Sequence, residues 1–446
     1  MPFRALLIVS LLCLLTNSTL TLAEEVHLES LQQLYDYAAR SGNDVTLKPG
    51  TYQLADLIPL DSIGQRRRQK DYTYIDFSGS NNHFHLDGVE IIADTKIRQA
   101  LRPPVHTNEF IVSGNHNEIH GLTITNVGNG RSPGGALISI TGDDNTLSHG
   151  TFTVQGSSPY GYGDLFGKGG PSVIGHQKQS GVQIKGNRTR ILDCRLIIRS
   201  FGHGFFVQGG EGQHFENCYV EGEVRSTTEM LKETEGPAHN VDFQMVLKTR
   251  KGDHNVLPGY TKSLCEDGFR TYNAVKDLTL INCVAKNMRG GFELRTKGGG
   301  VHIKNCQAIG CERGFWVGNG ARIEDSSGDN QYGPLLYLEG KGARVDLTLT
   351  GASPASIVHA LAAISGSDHE VTLRASSNRA QSSASPILVG YSSPPAGEGM
   401  CYLAARKTSG VTLNNGTAAP VVVQQDAKGN RVDSETPVTY DDSSRR

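Results

Sequence analysis

Most of the chain consists of short runs in which apolar and polar residues alternate, each closed by a glycine or an Asx residue. NEIHGLTI (117–124), NTLSHGTFTV (145–154), ARIEDSSG (321–328) and ARVDLTLTG (343–351) are examples. A period of two marks strands buried on one side. One segment near the N-terminus, LESLQQLYDYAARSG (28–42), instead places its apolar residues at helical spacing and predicts an amphipathic helix. VTLKPGTYQL (45–54) then reads as a first strand.

The alternation is itself periodic. An Asx-Cys step occurs at Asp193-Cys194, Asn217-Cys218, Asn282-Cys283 and Asn305-Cys306, with the cysteines 24, 65 and 23 residues apart. Glycine followed by a bulky apolar residue recurs at Gly181-Val182, Gly204-Phe205, Gly268-Phe269, Gly291-Phe292 and Gly314-Phe315, in steps of 23, 64, 23 and 23. Two markers with one period and the same interruption indicate a solenoid whose coils are about 23 residues long. Stacking would set equivalent residues about 4.8 Å apart. Phe205, Phe269, Phe292 and Phe315 would then form an interior aromatic stack. The four cysteines would form a buried column, with their Asx neighbours bonding the turn backbone. The predicted helix would cover the open end of the stack, where strand edges would otherwise be unpaired.

Composition agrees with many short strands and tight turns: 53 glycines, 37% apolar residues and one tryptophan in 446 residues. Lys+Arg 43 against Asp+Glu 45 leaves the chain nearly neutral, which gives no reason to expect a nucleic-acid partner. The first 23 residues, with Arg4 ahead of an apolar run and Thr21-Leu22-Ala23 at the end, read as a secretory signal peptide. No later run approaches the ~20 apolar residues of a spanning helix, so an exported, secreted or periplasmic protein is expected. Seven cysteines would remain after leader removal, an odd number that argues against a full disulfide framework. There is no CxxC pair to suggest structural zinc. The domain reading is a leader at 1–23, one solenoid over 24–430 and a polar tail at 431–446.

A short helix, a K-P-G-T-Y strand and coils marked by N-C and G-F steps resemble the pectate-lyase-like superfamily. The resemblance implies an all-β fold, a right-handed parallel β-helix with a short N-terminal capping helix. It also implies carbohydrate work, in a superfamily that holds lyases, hydrolases, epimerases and phage tail spikes.

Strand alternation then locates a surface. With the phenylalanines inward, their neighbours face solvent: Gln183 and Lys185, Phe206 and Gln208, Arg270 and Tyr272, Glu293 and Arg295, and Trp316. Two long insertions leave the scaffold just before this strand. From the cysteine position to the next glycine step takes 8 or 10 residues in regular coils, but 50 after Cys218 and 31 after the equivalent Gly150. Long loops rooted on a rigid scaffold commonly carry function.

A lyase acting on an acidic polysaccharide must neutralise a uronate carboxylate and supply a base and an acid for β-elimination. Arg270 suits the carboxylate, and Lys248, His203 or Tyr272 suits the proton. Lys185 and Arg295 would hold neighbouring carboxylates, Gln183, Gln208 and Glu293 would complete the substrate strip, and Phe206 and Trp316 would be platforms for sugar rings. Alternatively, Arg270 pairs with Glu293 of the next coil as a simple ladder salt bridge. Glu266 and Asp267 are the acids that a calcium ion would take; no other cofactor is implied. A glycoside hydrolase shares the fold, and Gly202-His203-Gly204 matches one of its steps, but two opposed carboxylates are absent from the strip. A C5-epimerase or a non-catalytic adhesin would use similar surfaces.

Overall fold

The glycine steps and Asx steps are the corners of a parallel β-helix. The computed structural model describes residues 24–63, 73–100, 107–132, 134–166, 174–240, 247–249, 252–254, 256, 258–272, 274–352, 360–376, 385–392 and 404–441. The expected leader lies outside the described residues. Thirteen strands, from Ile75–Asp76 to Val438–Asp441, pair in parallel along one face. Twenty-two more form the other side. They run as two columns that fuse at the long strand Arg322–Asn330, which pairs with both Val301–Lys304 and Gln307–Ile309. Coils before this strand have three faces, and those after it are flatter.

The interior follows the repeat. Phe205, Phe269, Phe292 and Phe315 stack with ring centroids 5.4, 5.0 and 4.9 Å apart and planes within 15° of parallel. Each ring is fully enclosed, and burying one contributes about 2–3 kcal/mol. The glycine ahead of each Phe is required by close approach. A Cβ on Gly291 would lie 2.6 Å from the Gly314 carbonyl oxygen, and one on Gly204 would lie 2.7 Å from that of Gly268. The Asx residues supply left-handed corners, with φ between 52° and 54° at Asp193, Asn217, Asn282 and Asn305, a region these short polar side chains tolerate. Their side chains bond to one another rather than to the turn backbone. Asn217 donates to Asp193 at 2.9 Å, Asn282 to Asn217 at 3.1 Å and Asn305 to Asn282 at 2.7 Å. The neighbouring Cys194, Cys218, Cys283 and Cys306 are buried free thiols.

The ends differ from expectation. A helix is present at Leu31–Ala38, capped by the Ser30 hydroxyl, with Leu31, Leu34 and Ala38 buried. The stack begins before it, however, because Glu24–Leu28 pairs with Asn43–Leu47. VTLKPGTYQL is not one strand but parts of two, Asn43–Leu47 and Gly50–Gln53, separated where Pro49 can donate no ladder bond. At the other end, Arg431–Ser434 and Val438–Asp441 add strands to the two sides of the stack. Residues 431–441, expected as part of a polar tail, therefore belong to the β-helix. Val432 and Val438 pack against the core, giving these polar segments an inward residue each.

Candidate functional site

The thirteen-stranded face presents the expected outward rows. Strand register aligns Gln183, Phe206, Arg270, Glu293, Trp316 and Tyr337. Two residues further along the same coils lie Lys185, Gln208, Tyr272, Arg295, Gly318 and Glu339. Glycine at 318 leaves a gap in this second row. Around it is a cleft of about 680 Å³, lined among others by Arg270, Tyr272, Arg295, Lys297, Glu339 and Arg406.

One buried carboxylate organises the arginines. Glu293, 3% exposed, contacts Arg270, accepts from Arg295 Nη2 at 2.7 Å and accepts from Arg313 Nη1 at 3.4 Å. The ladder pairing of Arg270 with Glu293 is thus present, within a larger network. Arg295 also reaches Glu339 at 3.3 Å. Its guanidinium lies 3.8 Å from the centroid of the Trp316 ring, and that of Arg313 lies 5.3 Å away. Trp316, expected as an open sugar platform, is buried under these guanidinium groups and against Tyr337. The Nε atoms of Arg270 and Arg295 have no hydrogen-bond partner among the described residues.

Beside Arg270 is the cluster with acid–base character. His203 Nε2 lies 3.1 Å from the Tyr272 hydroxyl, and His203 Nδ1 lies 3.3 Å from Asp267 Oδ2. Arg289 clamps Asp267 through Nε at 3.2 Å and Nη2 at 3.1 Å to both carboxylate oxygens, and also reaches Glu266 at 3.4 Å. Lys178 donates to Glu266 at 2.7 Å. Burial alone would raise Glu266, but the charges of His203, Arg289 and Lys178 outweigh it and hold this carboxyl at about 2. Asp267 is likewise held well below its ordinary range, its burial overcome by Arg289 and by the hydrogen bond from His203. Burial pushes the Tyr272 phenol up, partly opposed by the Arg270 charge, so neutral tyrosine is its resting form. The ring of Tyr272 lies 5.2 Å from the Arg270 guanidinium.

These contacts also decide the calcium question for this pair. Glu266 and Asp267 already hold Arg289, Lys178 and His203, and no described group of three or more His, Cys, Asp or Glu is arranged to hold a metal ion. The residues do not fit calcium.

Both long insertions pack beside this cluster. Tyr162, Leu165 and Phe166 of the first and Met230, Ala238, Val256 and Leu264 of the second share a small apolar core. Buried Lys262 joins them to the scaffold, 2.9 Å from Asp164 and in contact with Glu312. Burial would lower this lysine, but the two carboxylates raise it above its ordinary value. Antiparallel pairing of Val224–Ser226 with Thr261–Ser263 closes the root of the second insertion.

The structure therefore brings together His203, Arg270, Tyr272, Glu293, Arg295 and Trp316. Gln183 and Gln208 form a chain with Ser139 on the N-terminal side: Ser139 donates to Gln183 at 2.7 Å, and Gln183 to Gln208 at 2.6 Å. Phe206 is buried against His203, so it too offers little open face. Lys185 is exposed at the end of its strand. Lys248 lies in the hairpin Leu247–Thr249 with Gly252–His254, in register with Asp253; its side chain lies outside what is described. Sequence reasoning missed Arg289, Lys178 and Glu312. A signal for two of them existed, since the residues just before each glycine step read His203, Glu266-Asp267, Arg289 and Glu312-Arg313 from coil to coil. Lys178 sits in an insertion with no periodic marker.

No protein-family model matches the chain, and no curated protein matches it. Solved structures do. An alginate lyase in complex with G6 aligns at TM-score 0.53 with 11% identity, over 95% of this chain and 87% of that one. A PL6 alginate lyase in complex with a trisaccharide aligns at TM-score 0.50 with 11% identity, over 94% of this chain and 86% of the other. Among the described residues no helix is long and apolar enough to cross a membrane. At such low identity the likeness speaks for architecture: this chain is a right-handed parallel β-helix, built along nearly its whole length like those lyases.

Proposed function

We propose that the protein is an exported polysaccharide lyase that cleaves a uronate-containing polymer, of the alginate type first, by β-elimination. The observation that carries this reading is the line Asp267–His203–Tyr272 at the edge of an arginine-lined cleft. The step uses His203 as the neutral tautomer with its proton on Nδ1 facing the Asp267 carboxylate, in place of the backbone bond that Asp267 N donates to Nδ1 at 3.4 Å, which leaves Nε2 to accept the Tyr272 proton. The tyrosine oxygen then takes the proton from C5 of the uronate. The C5–H electrons form the C4=C5 double bond, the C4–O bond breaks, and the leaving oxygen receives the proton that Tyr272 carries. His203 returns the borrowed proton to Tyr272.

Arg270 and Arg295 hold the uronate carboxylate. Their charge stabilises the carbanion-like transition state that forms as C5 loses its proton. The alginate preference is supported by the two solved alginate lyases that share the architecture.

The test is ultraviolet absorbance of the unsaturated uronate during incubation with alginate, pectate and glucuronan. Absorbance should rise with one of them, and Tyr272→Phe should lower the rate by roughly 10²–10⁴-fold, the range for a lost acid–base group. No rise on any polymer would overturn the lyase reading, and an undiminished rate in Tyr272→Phe would overturn the assignment of this residue.

A further inference from the structure

Positive charge is distributed unevenly along the outward face. Near Tyr272 the guanidinium groups are offset by Glu293 and Glu339. Towards the N-terminus the inner row becomes a hydrogen-bonded run of uncharged Gln208, Gln183 and Ser139, with Lys185 as the cation beside it. Towards the C-terminus the balance is different: Lys297, Lys407 and Lys428 have no carboxylate partner among the described residues, and Arg406 stands beside Lys407.

Arg406 and Lys407 form a ridge. On one side lies the cleft already described, and on the other a second cleft of about 620 Å³, lined by Thr408, Ser409, Gln424, Asp426 and Lys428. The ridge is fixed to the scaffold by backbone bonds. Arg406 N donates to the Gly390 carbonyl at 2.8 Å, Lys428 N donates to the Thr408 carbonyl at 3.1 Å, and Thr408-Ser409 pairs with Gly366-Ser367. The backbone that carries its exposed cations is thus held in place before any ligand arrives, which limits the backbone part of the ordering cost of binding.

We propose that the second cleft is a distal subsite for an acidic polysaccharide chain, entered over the Arg406–Lys407 ridge by a polymer whose other part lies in the first cleft. The inference rests on the first cleft being the substrate site. From Tyr272 to Ser365 is four rungs, roughly 19 Å at ~4.8 Å per rung, so a short oligosaccharide in the first cleft does not reach Lys428 and a long one does. The polymer lies predominantly towards the C-terminal side of Tyr272, and the uncharged amide run on the other side accepts sugars without a carboxylate partner.

The test is fluorescence anisotropy with end-labelled oligouronates, a trisaccharide and a decasaccharide, which needs no turnover. The decasaccharide should bind more tightly, with a steeper dependence on salt. Lys428→Glu should weaken the decasaccharide by roughly fivefold or more relative to the trisaccharide, and Asp426→Asn should strengthen it. Equal losses for both lengths, or no effect of either substitution, would overturn the distal subsite. So would a double-stranded DNA of matched charge that binds as tightly and responds equally to Lys428→Glu, since that describes an unselective polyanion patch. Length-dependent binding without any elimination product would leave this inference standing and remove the lyase reading.

Discussion

Arg289 is the most consequential buried charge, and its removal gives a quantitative forecast. Replacing it by methionine keeps most of the stem but leaves Asp267 without its clamp and Glu266 with only Lys178 and His203. At ~1.4 kcal/mol per tenfold change in proton affinity, holding Glu266 at about 2 instead of its ordinary 4.5 contributes about 3 kcal/mol, shared among His203, Arg289 and Lys178. Loss of one partner from a buried ion pair costs a similar ~3–5 kcal/mol. Arg289→Met should therefore destabilise by about 3 kcal/mol at neutral pH, read from the midpoint of urea unfolding. The pH dependence has a definite sign. A carboxyl depressed in the fold stabilises fully above its unfolded value near 4.5 and loses that contribution as pH falls towards about 2. The gap between parent and variant should accordingly shrink by about half at pH ~3, where the variant's acids take up protons. A gap of equal size at both pH values would refute the electrostatic account and assign the loss to packing.

The scaffold and the site each yield further forecasts. Phe292→Ala removes a ring stacked on both sides, at 5.0 and 4.9 Å, and should cost ~3–5 kcal/mol in the same unfolding assay; a cost under ~1 kcal/mol would mean that the stack relaxes. Gly291→Ala sets a methyl 2.6 Å from the Gly314 carbonyl oxygen, with an expected cost of ~1–3 kcal/mol. Because burial raises the Tyr272 phenol above its ordinary 10 and its deprotonated oxygen is the base, ionisation of this residue should cause no alkaline fall in elimination rate up to pH ~10. A fall centred well below it would argue that another group is rate-controlling.

The scaffold was legible because a solenoid writes its geometry into sequence once per coil. Gly204, Gly268, Gly291 and Gly314 recur since backbone passes too close for a Cβ, and Asn217, Asn282 and Asn305 recur since the corner needs positive φ. The outward rows follow from alternation, so Arg270, Tyr272, Glu293 and Arg295 were found as neighbours. Contact between rows was less visible. That Trp316 lies beneath Arg295 and Arg313 depends on side-chain directions across coils, which a one-dimensional pattern does not encode. The ionic cluster under His203 lies at the corner positions, where the coil period is broken by insertions of different length. The ridge at Arg406–Lys407 lies in the C-terminal coils, where neither the Asx-Cys nor the Gly-Phe marker continues.

The longest insertion has a self-contained root. Phe205 and Phe269, on either side of it, stack at 5.4 Å as if nothing intervened, while the paired segments Val224–Ser226 and Thr261–Ser263 bring its ends together. The chain between those segments can therefore change, provided that the core its Met230, Ala238 and Val256 share with the first insertion is kept. A descendant or an engineer can exchange it for one of different length without altering the coil spacing, so the wall of the cleft can be reshaped while its floor is inherited unchanged.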